Sequence, residues 1–499
     1  MEGGFIGLLD EAARATGYRA FARFPDQVLT FADVQARSNQ VAAGLRRLGI
    51  GAGDRVGVML ANSPASVALV FGLARAGVVW IPLNIQLRSG QLQYILDHAQ
   101  PRAVIAEETL APLIQGCGAT VDGMEVIVGD ALTALLHGEG GFAAASPPPD
   151  ALFAISYTSG TTGPPKGVQM SHRMLRLAGE GALLVSGARD GDVFYMWEPL
   201  YHIGGSQLMV VPLLRRVVLH MAPRFSARSF WAEAKAAGAT HVHYLGGILQ
   251  ILLKQPPSPL DRTHGVRVAW GGGCPSDVWV AVQERFGVEV RECYGMTEAS
   301  SFTTCNDNGV VGAVGRPLPW ITVDLLDADG APAAPGERGE IVVRSADPLA
   351  ITKGYFRNPA ATKQAIRDGA LHTGDVGSWD ADGNLFFHGR LSDSVRVKGE
   401  NVSAWEVEHV AAQHPAVEDC AMIGVAADVG EQDIKLFVKP KPGAVVDLAA
   451  LSAWLGERLP PYQNPRYLAV VEEFERTPSQ RIMKHLLPTA RGDCWVRGG

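Results

Sequence analysis

Ser156-Tyr157-Thr158-Ser159-Gly160-Thr161-Thr162-Gly163-Pro164-Pro165-Lys166-Gly167 is a hydroxyl- and glycine-rich loop that ends in a lysine. Glycines let the main chain approach phosphate oxygens closely, and successive exposed N–H groups form an anion-binding concavity. The Ser and Thr hydroxyls add rotatable donors, and Lys166 adds a mobile positive charge. The apolar run at 151–155 reads as a buried strand, which gives a strand-then-loop arrangement. A plain surface turn would account for the glycines and threonines alone. A Walker A loop is disfavoured, because Gly167 follows the lysine where that motif needs Ser or Thr.

Working outward, strand-length apolar runs alternate with amphipathic helical stretches. A strand at 55–60, a helix at 64–76 and a strand at 78–82 form one unit. A strand at 267–270, Gly271–Gly273, a helix at 277–286 and a strand at 288–293 form another. This βαβ rhythm predicts an α/β fold with a parallel sheet. Three successive prolines within 143–150 mark a loop before the phosphate strand. From about residue 321, short strands separated by turn signals suggest a small antiparallel barrel over about 321–389. A compact α+β domain is expected from Ser392, with helices at 404–413 and 448–459 and strands at 420–425 and 435–440. The division expected is therefore 1–391 and 392–499.

Composition narrows the function. At 499 residues and 47% hydrophobic, the chain can bury more than one core. A net charge of −7 with no long basic run argues against a nucleic-acid surface. No basic segment followed by an apolar core opens the chain, so a secretory leader is not expected. The most apolar stretch, 67–83, is interrupted by Arg75 and reads as buried helix and strand, not as a membrane span. The six cysteines show no CxxC spacing, which points to reduced thiols in a cytoplasm and away from a zinc site.

The phosphate loop resembles the signature of the adenylate-forming superfamily, which comprises acyl-CoA synthetases, luciferases and peptide-synthetase adenylation domains. Further segments match in order: Tyr201-His202-Ile203-Gly204-Gly205, Tyr294-Gly295-Met296-Thr297-Glu298, His372-Thr373-Gly374-Asp375, Gly389-Arg390-Leu391-Ser392-Asp393 and Lys398-Gly399-Glu400-Asn401-Val402-Ser403. The last of these, with Gly271-Gly272-Gly273-Cys274-Pro275, is most similar to the acyl-CoA ligase branch near the carnitine/crotonobetaine-CoA ligases. The resemblance covers nearly the whole chain. It implies a large N-terminal AMP-binding domain and a small C-terminal lid that rotates between an adenylating and a thioester-forming pose.

It also implies roles. Thr158, Ser159, Gly160, Thr161, Thr162, Gly163, Lys166 and Thr297 would contact phosphates, and Glu298 would hold Mg2+, which suits a hard oxygen ligand. Gly271, Gly272, Gly273, Tyr294 and Gly295 would flank the adenine, and Asp375 and Arg390 would meet the ribose. His202 would lie near the acyl carboxylate, Asn401 would steady the adenylate, and Lys398 and Gly399 would line the CoA tunnel. Ser392 and Asp393 cover the hinge, where many relatives carry Asp or Lys. Gly204, Gly205, Tyr244, Gly246 and Gly247 would line the acyl pocket. Their small side chains suggest a bulky, largely apolar acid, unless the glycines serve only turns.

One departure stands out. The family carries Thr-x-x-Gly-Lys-Ile near its C-terminus, and that lysine reaches the carboxylate and α-phosphate during adenylation. Here the segment reads Thr477-Pro478-Ser479-Gln480-Arg481-Ile482-Met483-Lys484, with Arg481 in the lysine position. A planar guanidinium cannot place one compact ammonium between two oxygens. Loss of one such positioned donor costs on the order of 10²–10³ in rate. Substitution by Lys484 through a register shift is disfavoured, because a slip of three residues turns a strand side chain to the opposite face.

The expectation is thus an acyl-CoA ligase that uses ATP or acyl-AMP, CoA and Mg2+ and is weak or inactive in adenylation. A separate ligase would then supply acyl-AMP. Three alternatives stay open: an ordinary two-step ligase, a carrier-protein loader and a silent acyl-adenylate binding protein; the assembly could be a homodimer. The acid and the pathway are not legible.

Overall fold

The structure is a computed structural model. It describes residues 4–87, 89–138, 142, 146–158, 165–391, 394–397, 400–427, 432–476 and 482–497, with the backbone alone at 394, 396, 400, 401 and 403. The chain packs as two compact units. The first gathers Met1–Thr158, Pro165–Val323 and Val343–Leu371, and the second includes Asp324–Val342 and His372–Gly499.

The first unit is built on two sheets. One has six strands in the order Glu125–Ile127, Ala103–Ala106, Arg55–Met59, Val79–Pro82, Leu152–Thr158 and Lys166–Ser171. Its pairs are parallel until the last, where Lys166–Ser171 folds back antiparallel on Leu152–Thr158. The other has seven strands in the order Glu289–Glu292, Val268–Gly272, His241–Leu245, Val193–Met196, Val218–Met221, Ala20–Arg23 and Val28–Thr30. Its pairs are also parallel up to an antiparallel edge. The expected α/β class is therefore the observed one.

Local chemistry sets the crossovers. Helix Pro64–Ala76 starts at a Ser63–Ser66 capping box with Pro64 in its first turn and stops at Gly77, φ 67°. It is buried on all sides, because it carries Val67, Leu69, Val70, Phe71 and Leu73 into the core. Among the described residues no helix is long and apolar enough to cross a membrane. All six cysteines are free thiols.

The segment expected to form a barrel gives a five-stranded sheet: Ile321–Leu326, Gly339–Ser345, Ala370–Trp379 and Ile366–Arg367 in that order, with Leu385–Arg390 on Ala370–Trp379. The ten-residue strand Ala370–Trp379 is long enough to pair with both short strands along its length.

In the second unit, Val417–Ala426, Gln432–Pro440, Tyr467–Val470 and Trp495–Val496 form a four-stranded sheet. Helices Ala404–Ala412 and Leu448–Gly456 carry Val407, Leu451 and Leu455 into its core. The boundary expected at 391/392 lies inside this unit, which also takes in 324–342 and 372–391.

Candidate active site

The strands that flank the phosphate loop, Leu152–Thr158 and Lys166–Ser171, pair antiparallel. Thr158 stands opposite Lys166, and its hydroxyl donates to the Lys166 carbonyl at 3.4 Å. Ser159, Gly160, Thr161, Thr162 and Gly163 lie outside the described residues. Lys166 projects its ammonium over the ring of Tyr355, 5.2 Å from the centroid. The Tyr355 hydroxyl donates to Glu298 Oε1 at 2.9 Å. The Glu298 carbonyl accepts from Thr352 N at 2.8 Å. The lysine and the carboxylate singled out from sequence are therefore joined through a tyrosine that sequence reasoning did not single out.

Glu298 lies in a single turn of 3-10 helix, Thr297–Ala299. Thr297 is buried beside it. The turn is closed by Ser300 and Ser301 at φ 54° and 72°, a left-handed conformation that costs energy for residues other than glycine. Ser300 Oγ donates to Ala350 O at 2.6 Å, and Ser301 N donates to Met296 O at 3.0 Å. These bonds hold the turn, and with it the direction of the carboxylate.

The triglycine segment ends the strand Val268–Gly272. A Cβ on Gly271 would fall 1.9 Å from Tyr244 O, and one on Gly295 would fall 1.8 Å from Ser301 O. Only glycine fits either place, which leaves bare main chain of the kind a flat base can approach. Tyr294 is buried next to Gly295. Glu292 holds the turn from beneath. Its carboxylate accepts from Gly273 N, from Cys274 N at 3.2 Å and from the Tyr244 hydroxyl at 2.5 Å. Burial pushes the Glu292 carboxyl up to about 8, against these donors, which pull it down. Sequence reading passed over Glu292, since a lone Glu in a strand has no signature of its own.

His202 caps the short helix Ile203–Ser206, where its Nδ1 accepts from Gly204 N at 3.1 Å. That contact assigns the ring proton to Nε2. Gly205 and Tyr244, both expected to line the acyl pocket, are tightly packed. A Cβ on Gly205 would fall 2.2 Å from Pro199 O, so this glycine serves close backbone packing. Tyr244 is fully buried, and its hydroxyl is spent on Glu292. Gly246 has no heavy atom near its missing Cβ, and Gly247 meets only Gln250 Oε1 at 3.6 Å. A Cβ on Gly204 would meet His202 Nδ1 at 3.1 Å, Leu245 Cδ1 at 3.4 Å and His243 Cε1 at 3.5 Å, so side chains already pack against this glycine.

In the second unit, Asp375 and Arg390 stand directly opposite in adjacent antiparallel strands. Arg390 Nε lies 3.3 Å from Asp375 Oδ1, and Asp375 is buried. Asp375 N donates to Thr373 Oγ1 at 3.0 Å, and Gly374 N donates to Glu340 Oε1 at 3.2 Å. His372 Nδ1 lies 2.9 Å from the other Glu340 oxygen. Asn401 stands opposite Arg396 in the hairpin of Ser394–Val397 and Glu400–Ser403. The Asn401 side chain, Ser392, Asp393, Lys398, Gly399 and Arg481 lie outside what is described. Lys484 Nζ is engaged with Glu408 Oε1 at 2.8 Å.

Among the described residues no group of three or more His, Cys, Asp or Glu is arranged to hold a metal. One carboxylate held by a tyrosine is the donor set expected for Mg2+ that arrives with nucleotide phosphates.

Comparison with known proteins places the chain in a family. Residues 9–356 match the AMP-binding enzyme family, and residues 406–481 match the AMP-binding enzyme C-terminal domain. A sulfoacetate–CoA ligase of Cupriavidus necator is 32% identical, over 96% of this chain and 97% of that protein. A crotonobetaine/carnitine–CoA ligase of Escherichia coli is 29% identical, over 91% and 92%. The o-succinylbenzoate coenzyme A synthetase of Bacillus subtilis, solved with ATP and a magnesium ion, superposes with a TM-score of 0.86 at 25% identity, covering 98% of this chain and 100% of that one. The chain belongs to the AMP-binding enzyme family.

Proposed function

We propose that the protein is an acyl-CoA ligase that joins an acyl-adenylate to CoA and releases AMP. The arrangement of Lys166, Tyr355 and Glu298 carries the reading. It sets a cation and a hard carboxylate ligand on either side of one phenol, as a Mg2+–polyphosphate group requires. In the first unit the bare main chain at Gly271 and Gly295 suits a flat base, and in the second the buried Asp375 offers a carboxylate suited to ribose hydroxyls. His202, with Nδ1 occupied by Gly204 N, would present Nε2–H towards the acyl carboxylate. Asn401, Lys398 and Gly399 would serve the adenylate and the CoA thiol. The CoA ligases named among the relatives support this reaction class.

The adenylating step is proposed to be weak, because Arg481 replaces the family's lysine. The engagement of Lys484 with Glu408 argues against that lysine as a stand-in. A partner ligase would then provide acyl-AMP. A complete two-step ligase is the second reading, and the intact Lys166–Tyr355–Glu298 arrangement favours it. Room beside Gly246 and Gly247 leaves a bulky acid in play. Two assays on one preparation decide: ATP, acid and CoA against synthetic acyl-AMP and CoA, both read as acyl-CoA by mass spectrometry. Product from acyl-AMP alone supports the specialised enzyme. Product from both at similar rates supports the complete one. Product from neither, with a panel of acids, overturns the ligase reading.

A further inference from the structure

A cavity of about 610 Å³ opens in the first unit beside the paired strands Ala20–Arg23 and Val218–Met221. Arg19, Arg23, Arg215 and Arg216 line it, with Asp190 as the one carboxylate among its lining residues. Asp190 is committed to Arg216. Arg216 Nε and Nη2 each lie 2.6 Å from Asp190 Oδ2, and Arg216 N donates to Oδ1 at 3.3 Å. Arg215 acts on Asp190 only through space. Arg19, Arg23 and Arg215 have no ion-pair or hydrogen-bond partner for their guanidiniums among the described residues. Arg19 is half-buried. The same lining holds the buried side chains of Phe31, Pro212 and Val217, and Tyr18 stands beside them 84% exposed.

This cavity is separate from the site described above. Residues 212–218 lead into the strand Val218–Met221, whereas Gly271–Gly273 and Leu245–Gly247 leave strands of the same sheet at the opposite ends. No residue assigned to the nucleotide, the acyl group or CoA lines it. Solubility does not explain its charge. The chain as a whole carries −7, so carboxylates outnumber cations, yet the only one lining this cavity is already paired. Guanidiniums stay charged at physiological pH, and like charges around one concavity repel.

A cleft lined by one sign of charge focuses its field and concentrates counter-ions. The guanidinium fork matches the oxygens of phosphate and carboxylate. Three uncommitted cations suit a phosphate monoester, at about −1.5 to −2, better than a single carboxylate. The apolar lining suits a carbon skeleton, and the volume falls within the range of about 300–1,000 Å³ usual for organic ligands. We propose that this cavity is a second ligand site that binds an organic phosphate, with Arg19, Arg23 and Arg215 on the phosphate group and the carbon body against Phe31, Pro212 and Val217. A free phosphate ester and a lipid headgroup present the same group to it.

The test uses the full chain with AMP present and fructose 1,6-bisphosphate as the soluble probe, titrated by calorimetry with fructose as control. Wild type is expected to bind the bisphosphate and not fructose. Arg19→Gln/Arg215→Gln is expected to weaken it by about 10- to 100-fold for each arginine removed, with Tm and AMP affinity unchanged. Lys166→Ala, which removes the cation of the phosphate loop, is expected to leave bisphosphate binding as it is. Pelleting with phosphatidic acid vesicles, against phosphatidylcholine alone, separates the two sources. Pelleting that the double arginine variant abolishes assigns the phosphate to a lipid headgroup. Soluble binding without pelleting assigns it to a free ester. Binding of neither probe overturns the proposal, as does equal binding by wild type and the double variant, or a loss caused by Lys166→Ala instead.

Discussion

The Tyr355 hydroxyl donates to Glu298 Oε1 at 2.9 Å, while the face of the same ring takes the Lys166 ammonium 5.2 Å from its centroid. One side chain thus sets the spacing between a proposed metal ligand and a proposed phosphate ligand. Tyr355→Phe keeps the ring under Lys166 and deletes only the bond to the carboxylate. A hydrogen bond to a charged group is worth about 1.5–3 kcal/mol, or about 10- to 100-fold. The expected result is a rise of that size in the Mg2+ concentration needed for half-maximal ATP binding, with AMP affinity unchanged. Equal Mg2+ dependence in the two proteins would sink the idea that Glu298 is tuned through Tyr355.

Glu292 makes the stability depend on pH. Burial raises its carboxyl from the ordinary 4.5 to about 8 in the folded chain. The folded state therefore holds this proton more tightly than the unfolded state. Its contribution to stability is fully present below about 4.5 and is lost as pH rises towards and through about 8. Glu292→Gln keeps an acceptor for Gly273 N and carries no titrating proton. The Tm difference between wild type and variant, measured across this window by thermal melts, should therefore fall as pH rises. A difference that stays constant with pH would show that the buried carboxyl does not titrate as stated.

How far the sequence reached can be judged at particular residues. Helix Pro64–Ala76 was legible to the residue, because Ser63, Pro64 and Gly77 are local signals that act on the chain beside them. The glycines at 271–273 were read as a place where a flat base could lie against the backbone, but the close approach of Tyr244 O to Gly271 and of Ser301 O to Gly295 was not legible. The strand pair flanking the phosphate loop was read only as far as its first strand, since an edge strand such as Lys166–Ser171 has no clean alternation of buried and exposed positions. Tyr355 and Glu292 were missed for a common reason. Each acts across the fold, Tyr355 on a residue 57 positions away and Glu292 on one 19 positions away, and no spacing rule encodes either contact. What surrounds Gly204 was not legible either, since His243 reaches it from the strand His241–Leu245.

Asp375 gives a direct test of the ribose assignment. It is buried, faces Arg390 at 3.3 Å and is held by its own backbone bond to Thr373 Oγ1. A carboxylate so placed that accepts from ribose hydroxyls should distinguish AMP from 2′-deoxy-AMP by about 10- to 100-fold in Kd. Asp375→Ala should weaken AMP and leave 2′-deoxy-AMP less affected, so that the ratio collapses towards one. If the variant keeps the wild-type ratio, Asp375 does not read the ribose, and the pair with Arg390 is structural.

Arg481 decides between the specialised and the complete enzyme, and the reverse substitution is more telling than a deletion. Arg481→Lys restores the compact ammonium of the family pattern at a position that carries a guanidinium here. If the arginine limits adenylation, the variant should raise acid-dependent pyrophosphate exchange by on the order of 10²–10³. Thioester formation from synthetic acyl-AMP should change by much less, because the proposed roles of His202, Asn401 and Lys398 in that step do not involve residue 481. The two half-reactions must be measured on the same preparation, so that a general loss of fold lowers both. A gain in the first step alone would mean that the arginine has uncoupled the ligase from ATP. Pyrophosphate exchange that is already fast in wild type and unmoved by the lysine would mean that a guanidinium serves this site as well as an ammonium.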